Sequence, residues 1–497
     1  MRASRRAVLL AGTAALGACA LPAPSAYPFA LGVASGDPKP DGGTIWTRLA
    51  PRPLDPDGGM PHEGTDVAWE LAHDEAMRDI VRRGIARAEA AWAHAVHVDI
   101  GGLDPAREYW YRFRWRGIAS PIGRLKTAPA GPTGRLRFVS VGCQHFEHGY
   151  FTAYRHIADA RPDFAVHYGD YIYEGGATAD RGWPRRHIGG TCRTLADYRR
   201  RYAQYRLDPD LAAAHAAVPF VMSFDDHEVV NNWASDFHAQ DDGPALRARK
   251  AAAFQAWYEH MPVPASMRPR ASAIAAHRAL SFGDLVDLFA LDTRQHRTRQ
   301  PCGDGVKERC AEAFDPHATM LGTAQEAWLD AGMRASRARW AALAQQILAM
   351  RVDVGAHRHN LDAWDGYEAA RARLHRALAS RENNAILSGD WHRFFVGDLK
   401  ADYNDPRSRV LASEFLATSI SSGGDVREQP GHAAALLRDN PHAKHFSDAR
   451  GYIAHDVTRE VWLADLRAVA LVSTPGARER SQARFALRWG APGVVPA

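Results

Sequence analysis

Two textures follow each other along the chain. Between residues 27 and about 128, short apolar or alternating runs at 44–47, 67–71, 94–100 and 109–113 are separated by Gly, Pro and Asp turns. Alternation of period two between turn residues predicts strands, and several in series predict an all-β module. The turn Leu103-Asp104-Pro105 ahead of Tyr109-Trp110-Tyr111-Arg112-Phe113 fits a fibronectin-type sandwich, so an immunoglobulin/fibronectin-like domain is expected over 27–130. Thr127-Ala128-Pro129-Ala130-Gly131-Pro132 has the composition of a linker.

From Arg135 apolar runs alternate with helical stretches, which predicts an α/β (α+β) layered architecture over 135–497. Strands are expected at 136–141, 164–167, 220–224, 285–291 and 385–387, and helices at 151–160 and 246–259. Polar residues follow each predicted strand at once. Cys143 follows the first, and Gly169-Asp170-Tyr171-Ile172-Tyr173 the second. The third runs into Asp225-Asp226-His227-Glu228, the fourth into Asp292-Thr293-Arg294, and the fifth into Gly389-Asp390-Trp391-His392. In open α/β sheets ligands bind beyond the carboxyl ends of the strands. Strand ends aimed at one rim would gather a thiol, carboxylates, a phenol, imidazoles and a guanidinium. That is the donor set of a metal site with an anion clamp.

Each unit alone is weak, because Gly-Asp before an aromatic residue is most often a turn. Together they are specific. Asp170, directly after a glycine, is placed to bridge two cations, and the phenol of Tyr173 suits a hard trivalent ion. Asp390 and His392, one residue apart, would stand side by side. Three carboxyls at Asp225, Asp226 and Glu228 repel one another unless a cation compensates. A free cysteine is ordinarily a small core residue, yet Cys143 at a strand end opposite carboxylates suits a thiolate ligand. The planar fork of Arg294 suits either a structural ion pair or phosphate oxygens.

The ordered set Gly142-Cys143, Gly169-Asp170-Tyr171-Ile172-Tyr173-Glu174, Phe224-Asp225-Asp226-His227-Glu228, Leu291-Asp292-Thr293-Arg294 and Gly389-Asp390-Trp391-His392 resembles the PhoD-type alkaline phosphatases. Those are calcineurin-like metallophosphoesterases related to purple acid phosphatases. Leu321-Gly322-Thr323-Ala324-Gln325, Trp364-Asp365-Gly366-Tyr367, Ser419-Ile420-Ser421-Ser422 and Gly32-Val33-Ala34-Ser35-Gly36-Asp37-Pro38 agree with it. The resemblance implies a four-layer β-sandwich flanked by helices behind the amino-terminal β domain. It also implies Fe3+ and Ca2+ as cofactors, one iron and one or two calcium ions. Cys143, Asp170, Tyr173 and His392 would hold the iron; Asp170 would bridge to calcium, with Asp226 and Asp390 as further oxygen ligands. Soft and phenolic donors suit iron, and carboxylates suit calcium. His227 and Arg294 become the expected catalytic pair, with Asn231 and Asn232 nearby. The family's last motif usually carries Val or Ile where Trp391 stands here, which bears on pocket width. The expected reaction is hydrolysis of phosphate monoesters or diesters by a metal-bound hydroxide in line with the leaving alkoxide.

Charge and leader narrow the setting. The 497 residues are 46% hydrophobic and 24% charged with a net +5, and no long basic block supports nucleic-acid binding. Ser4-Arg5-Arg6 before an apolar stretch reaching Ala18 reads as a twin-arginine signal over 1–26, so a periplasmic, secreted or lipid-anchored protein is expected. Leu16-Gly17-Ala18-Cys19 resembles a lipobox, the alternative being cleavage near Ala26. A lipid on Cys19 would be the one membrane attachment; otherwise a monomer acting on small phosphorylated substrates is expected. In an oxidising compartment Cys302 and Cys310 predict a disulfide, leaving Cys143 and Cys192 unpaired. The alternatives are a phosphodiesterase or phospholipase D-like specificity, or a noncatalytic phosphate-binding surface lipoprotein.

Overall fold

The computed structural model describes residues 26–178, 181–241, 243–426 and 430–497. The expected signal segment and Cys19 lie outside them. Among the described residues no helix is long and apolar enough to cross a membrane.

Strands from five parts of the chain build a ten-stranded sheet. Its order is Ala491–Pro496, Glu479–Arg488, Val461–Val469, Arg450–Thr458, Arg135–Val141, Phe164–His167, Pro219–Met222, Val33–Lys39, Gly42–Arg48 and Ala95–Ile100. A seven-stranded sheet runs Arg278–Phe282, Val286–Ala290, Trp340–Ala344, Asn384–Ser388, Val410–Leu416, Phe394–Lys400 and Ala443–Ser447. All five strands and both helices expected in the larger part form, with ends shifted by a few residues.

The alternation of side chains explains the layering. Along Arg135–Val141, Leu136 and Phe138 enter a core shared with Leu288, Ala342, Leu387 and Phe415 of the other sheet. Val139 and Val141 point the opposite way, onto Tyr154, Ile157, Tyr202 and Phe254 of the helices Thr152–Ala160, Leu195–Arg206 and Gly243–His260. On the far side, Phe289, Leu343 and Ile386 pack against Leu329, Met333, Leu374 and Leu378 of Gly322–Ala335 and Glu368–Ala379. Two sheets therefore lie between two helical layers, and buried apolar side chains at all three interfaces supply the main stabilisation.

The amino-terminal part departs from a self-contained sandwich. A second sheet of Ile80–Ala88, Thr65–Ala72, Glu108–Trp115, Ile118–Ala119 and Gly123–Lys126 covers a core of Val33, Ile45, Val67, Tyr111 and Phe113. Its partner sheet, however, is the ten-stranded one: Ser35 and Gly36 pair in parallel with Pro219 and Phe220. Period-two alternation predicts strands but not the neighbour each will choose. Gly36 marks the crossing, where a Cβ would come within 2.0 Å of the Pro262 carbonyl.

The Cys302–Cys310 disulfide is formed, and Cys143 and Cys192 are buried as free thiols.

Candidate metal centre

The carboxyl ends of Arg135–Val141 and Phe164–His167 continue to be zipped together beyond the strands. Tyr168 N–H donates to the Val141 carbonyl (3.2 Å), Cys143 N–H to Gly169 (3.1 Å) and Gln144 N–H to Asp170 (3.0 Å). This pairing carries Cys143 and Asp170 to the same edge. Glycines precede three candidate ligands for steric reasons. The Tyr168 ring lies where a Cβ of Gly142 or Gly389 would be, at 2.4 and 1.9 Å, and Gly169 has φ +137° against Asp225. Cys143, Asp170, Asp390 and His392 themselves have φ of 53°, 54°, 64° and 55°. Left-handed backbone in non-glycine residues is costly and gathers at functional sites.

Three overlapping groups result, in each of which the potential ligand atoms lie within 4.8 Å of one another: Cys143, Asp170 and His392; Asp170, Asp226 and His227; Asp225, Asp226 and Asp390. Asp170 belongs to two of them, as a bridging carboxylate must. The Tyr173 hydroxyl donates to Asp170 Oδ2 (2.8 Å) and stands 2.9 Å from His392 Nε2 and 2.6 Å from Ser422 Oγ. All six residues expected to ligate metal thus meet at one centre.

The buried charges fit a cation-binding site. Asp170 Oδ1 and Asp225 Oδ2 are buried without hydrogen-bond partners among the described residues. Burial, with the charge of Asp226 adding to it, pushes Asp170 up to about 7. Burial and the neighbouring aspartates raise Asp390 as well, and burial and Asp170 raise the Cys143 thiol and the Tyr173 phenol. Protons or metal ions relieve what crowding the nearby cationic side chains leave. In chelated protein, Asp170 and Asp390 hold protons that the unfolded chain releases near pH 4, so their contribution to stability falls as pH rises from about 4 through about 7, against the opposite contribution of histidines such as His167, His392 and His455 that burial keeps unprotonated. Metal binds the ionised ligands and cancels the carboxyl contribution, so the stability gained from metal is larger at pH 8 than at pH 5. Thermal melts of chelated and metal-loaded protein at pH 5 and pH 8 check it; parallel pH profiles would refute it.

Of the two roles open to Arg294, the structure shows ion pairs. Its side chain is fully buried, with Nε on Asp225 Oδ1 (2.5 Å) and Nη1 on both oxygens of Asp362 (3.0 and 2.9 Å). Nη2 faces Asp226 and Asp390 at 3.8 and 3.6 Å. It is a fixed countercharge beneath the aspartates: Nε and Nη1 are taken, while Nη2 makes no hydrogen bond among the described residues. Asp362, which holds it, follows no predicted strand and carried no signal in the sequence.

Other residues hold the ligands. Glu228 accepts from the backbone N–H groups of Asp170 (3.1 Å), Tyr171 (2.6 Å) and Asp225 (2.8 Å). His227 Nδ1 meets Glu174 Oε2 at 2.7 Å; burial opposes charge on this imidazole, but Glu174, Asp226 and Asp170 outweigh it and raise its pKa. Asn231 and Asn232 contribute through the backbone, donating to Glu174 (3.0 Å) and Asp226 (2.7 Å). Trp391 packs edge-on against Phe395 and Phe446, which anchors the turn between Asp390 and His392.

A sheet-edge cluster of carboxylates, imidazoles, phenol and thiol on this layered fold defines a metal-dependent phosphoesterase. The PhoD-like phosphatase model matches residues 138–466, and the PhoD-like phosphatase N-terminal domain matches 16–129. The chain is 42% identical over 474 residues to alkaline phosphatase D of Bacillus subtilis (strain 168), covering 93% of this chain and 81% of that one. A solved structure of PhoD superposes with TM-score 0.93 at 41% identity, covering 96% and 93% of the two chains. A purple acid phosphatase from yellow lupin shares the fold, with TM-score 0.56 at 12% identity over 92% of this chain and 74% of that one. The chain belongs to the PhoD-like phosphatase family and is a phosphatase.

Proposed function

We propose that this enzyme is an alkaline phosphatase that hydrolyses phosphate monoesters, diesters or both at an iron–calcium centre. Cys143, Asp170, Tyr173 and His392 would hold Fe3+; Asp170, Asp226 and Asp390 would hold one or two Ca2+. The observation that carries this reading is Asp170, shared between Cys143 and His392 on one side and Asp226 and His227 on the other. When bound, the cations would neutralise phosphate charge and lower the pKa of water.

The chain's own residues supply the rest. Arg294, held by Asp225 and Asp362, offsets carboxylate repulsion and keeps Asp226 and Asp390 aimed at the centre. Glu174 fixes the Nδ1 proton of His227, leaving Nε2 to give a proton to the departing alkoxide. His227→Asn is therefore expected to slow alkyl phosphates about 100-fold and 4-nitrophenyl phosphate far less, because a good leaving group needs no proton. Equal loss on both substrates would instead make His227 a phosphate contact. Export by the twin-arginine route, which delivers folded proteins, suits a centre that must be loaded with particular metals; a block of processing in a strain lacking that route would test it.

The function is tested by turnover of mono- and bis-aryl phosphates by purified protein loaded with iron and calcium. No turnover of either would favour the noncatalytic phosphate-binding alternative.

A further inference from the structure

Arg294 spends two of its three nitrogens on Asp225 and Asp362, and a second arginine touches the turn that carries His392. Arg450 opens the strand Arg450–Thr458 and is 7% exposed. Its Nε donates to the Gly424 carbonyl (3.0 Å), and Nη1 donates to those of His392 (2.8 Å) and Asp448 (2.9 Å). Among the described residues, no carboxylate pairs with it: the Asp448 side chain is taken by Arg393 at 2.9 Å. An arginine this deep ordinarily has an anionic partner. Three carbonyls orient the guanidinium but do not neutralise it.

Its remaining nitrogen, Nη2, makes no hydrogen bond among the described residues. It lies over Gly423, where a side chain would come within 2.4 Å of it, so the bare backbone leaves it room. Gly423 follows Ser422, whose hydroxyl touches the Tyr173 oxygen, and Gly423 N–H donates to His148 Nδ1 (3.0 Å). Around it stand Cys143, Tyr173, His148, His392 and Arg393, and the charge of Arg450 is felt by the first four. We propose that Arg450 is the substrate-binding cation of the site, donating from Nη2 to a phosphoryl oxygen of the ester and of the inorganic phosphate product. A charge-assisted bond to a dianion supplies the partner that the protein withholds.

The inference rests on the phosphatase reading, but its test does not need turnover. Inorganic phosphate is titrated calorimetrically into iron- and calcium-loaded full-length protein, and iron and calcium are measured on the same samples. Arg450→Ala is expected to weaken phosphate binding about 30-fold with metal content unchanged, and to raise KM more than it lowers kcat. Arg450→Lys, which keeps the charge and tests the site should the alanine variant not fold, restores part of the affinity. Millimolar guanidinium restores part of it in Arg450→Ala. Unchanged phosphate affinity in both variants overturns the proposal. So does loss of affinity only in step with loss of iron, which would make Arg450 a support for the His392 turn. An inactive wild type that still binds phosphate through Arg450 would sink the catalytic reading and leave this one standing.

Discussion

Asp170→Ala and His392→Ala should each lower kcat/KM for an aryl phosphate by about 1,000-fold or more, since the cations are asked for several kcal/mol of charge stabilisation. The two variants should fail in different ways. Asp170 is common to two ligand groups, so its loss should release iron and calcium together. His392 joins only the group with Cys143 and Asp170, so its loss should release iron and spare most of the calcium. Elemental analysis beside the kinetics separates the cases. Full activity in either variant, or equal loss of both metals in His392→Ala, would contradict the bridging role of Asp170.

The second large effect falls on stability. Glu228→Ala removes the acceptor for three buried backbone N–H groups, at Asp170, Tyr171 and Asp225. Each orphaned donor costs roughly 1–3 kcal/mol, so a loss of about 3 kcal/mol or more is expected. Because the freed segments carry the bridging aspartate and the partner of Arg294, activity should fall with it, by about 100-fold. Glu228→Gln keeps acceptor oxygen but turns an amide donor toward one of those N–H groups, and should lie between. Denaturant unfolding of the two variants, loaded and chelated, checks the order. A Glu228→Ala protein as stable as wild type would show that those loops are held elsewhere.

The centre was legible because its ligands announce themselves locally. Gly142-Cys143, Gly169-Asp170 and Gly389-Asp390 each place a donor directly after a strand, and the glycines are there because Tyr168 and Asp225 crowd the backbone. Strands buried on both faces show as apolar runs, and one of them, Phe164–His167, has the bounds the sequence predicts. What lay beyond reach was pairing across the chain. Nothing near Arg294 announces Asp362, and nothing near Ser35 announces Pro219. Arg450 gave no signal either, because its significance is the absence of an acid beside it, which only packing reveals. Glu228 was visible as one of several acids, but its work is done on backbone N–H groups that a sequence does not single out.

One shared cation between the end of Arg135–Val141 and the turn at His392 is what the proposed centre requires. An anomalous-difference map at the iron edge, from crystals of protein loaded in its native compartment, addresses this directly. The expected result is a single strong peak roughly 2–2.5 Å from Cys143 Sγ, an Asp170 oxygen, the Tyr173 oxygen and His392 Nε2. A peak bound elsewhere, with Cys143 and Tyr173 free of it, would contradict the account.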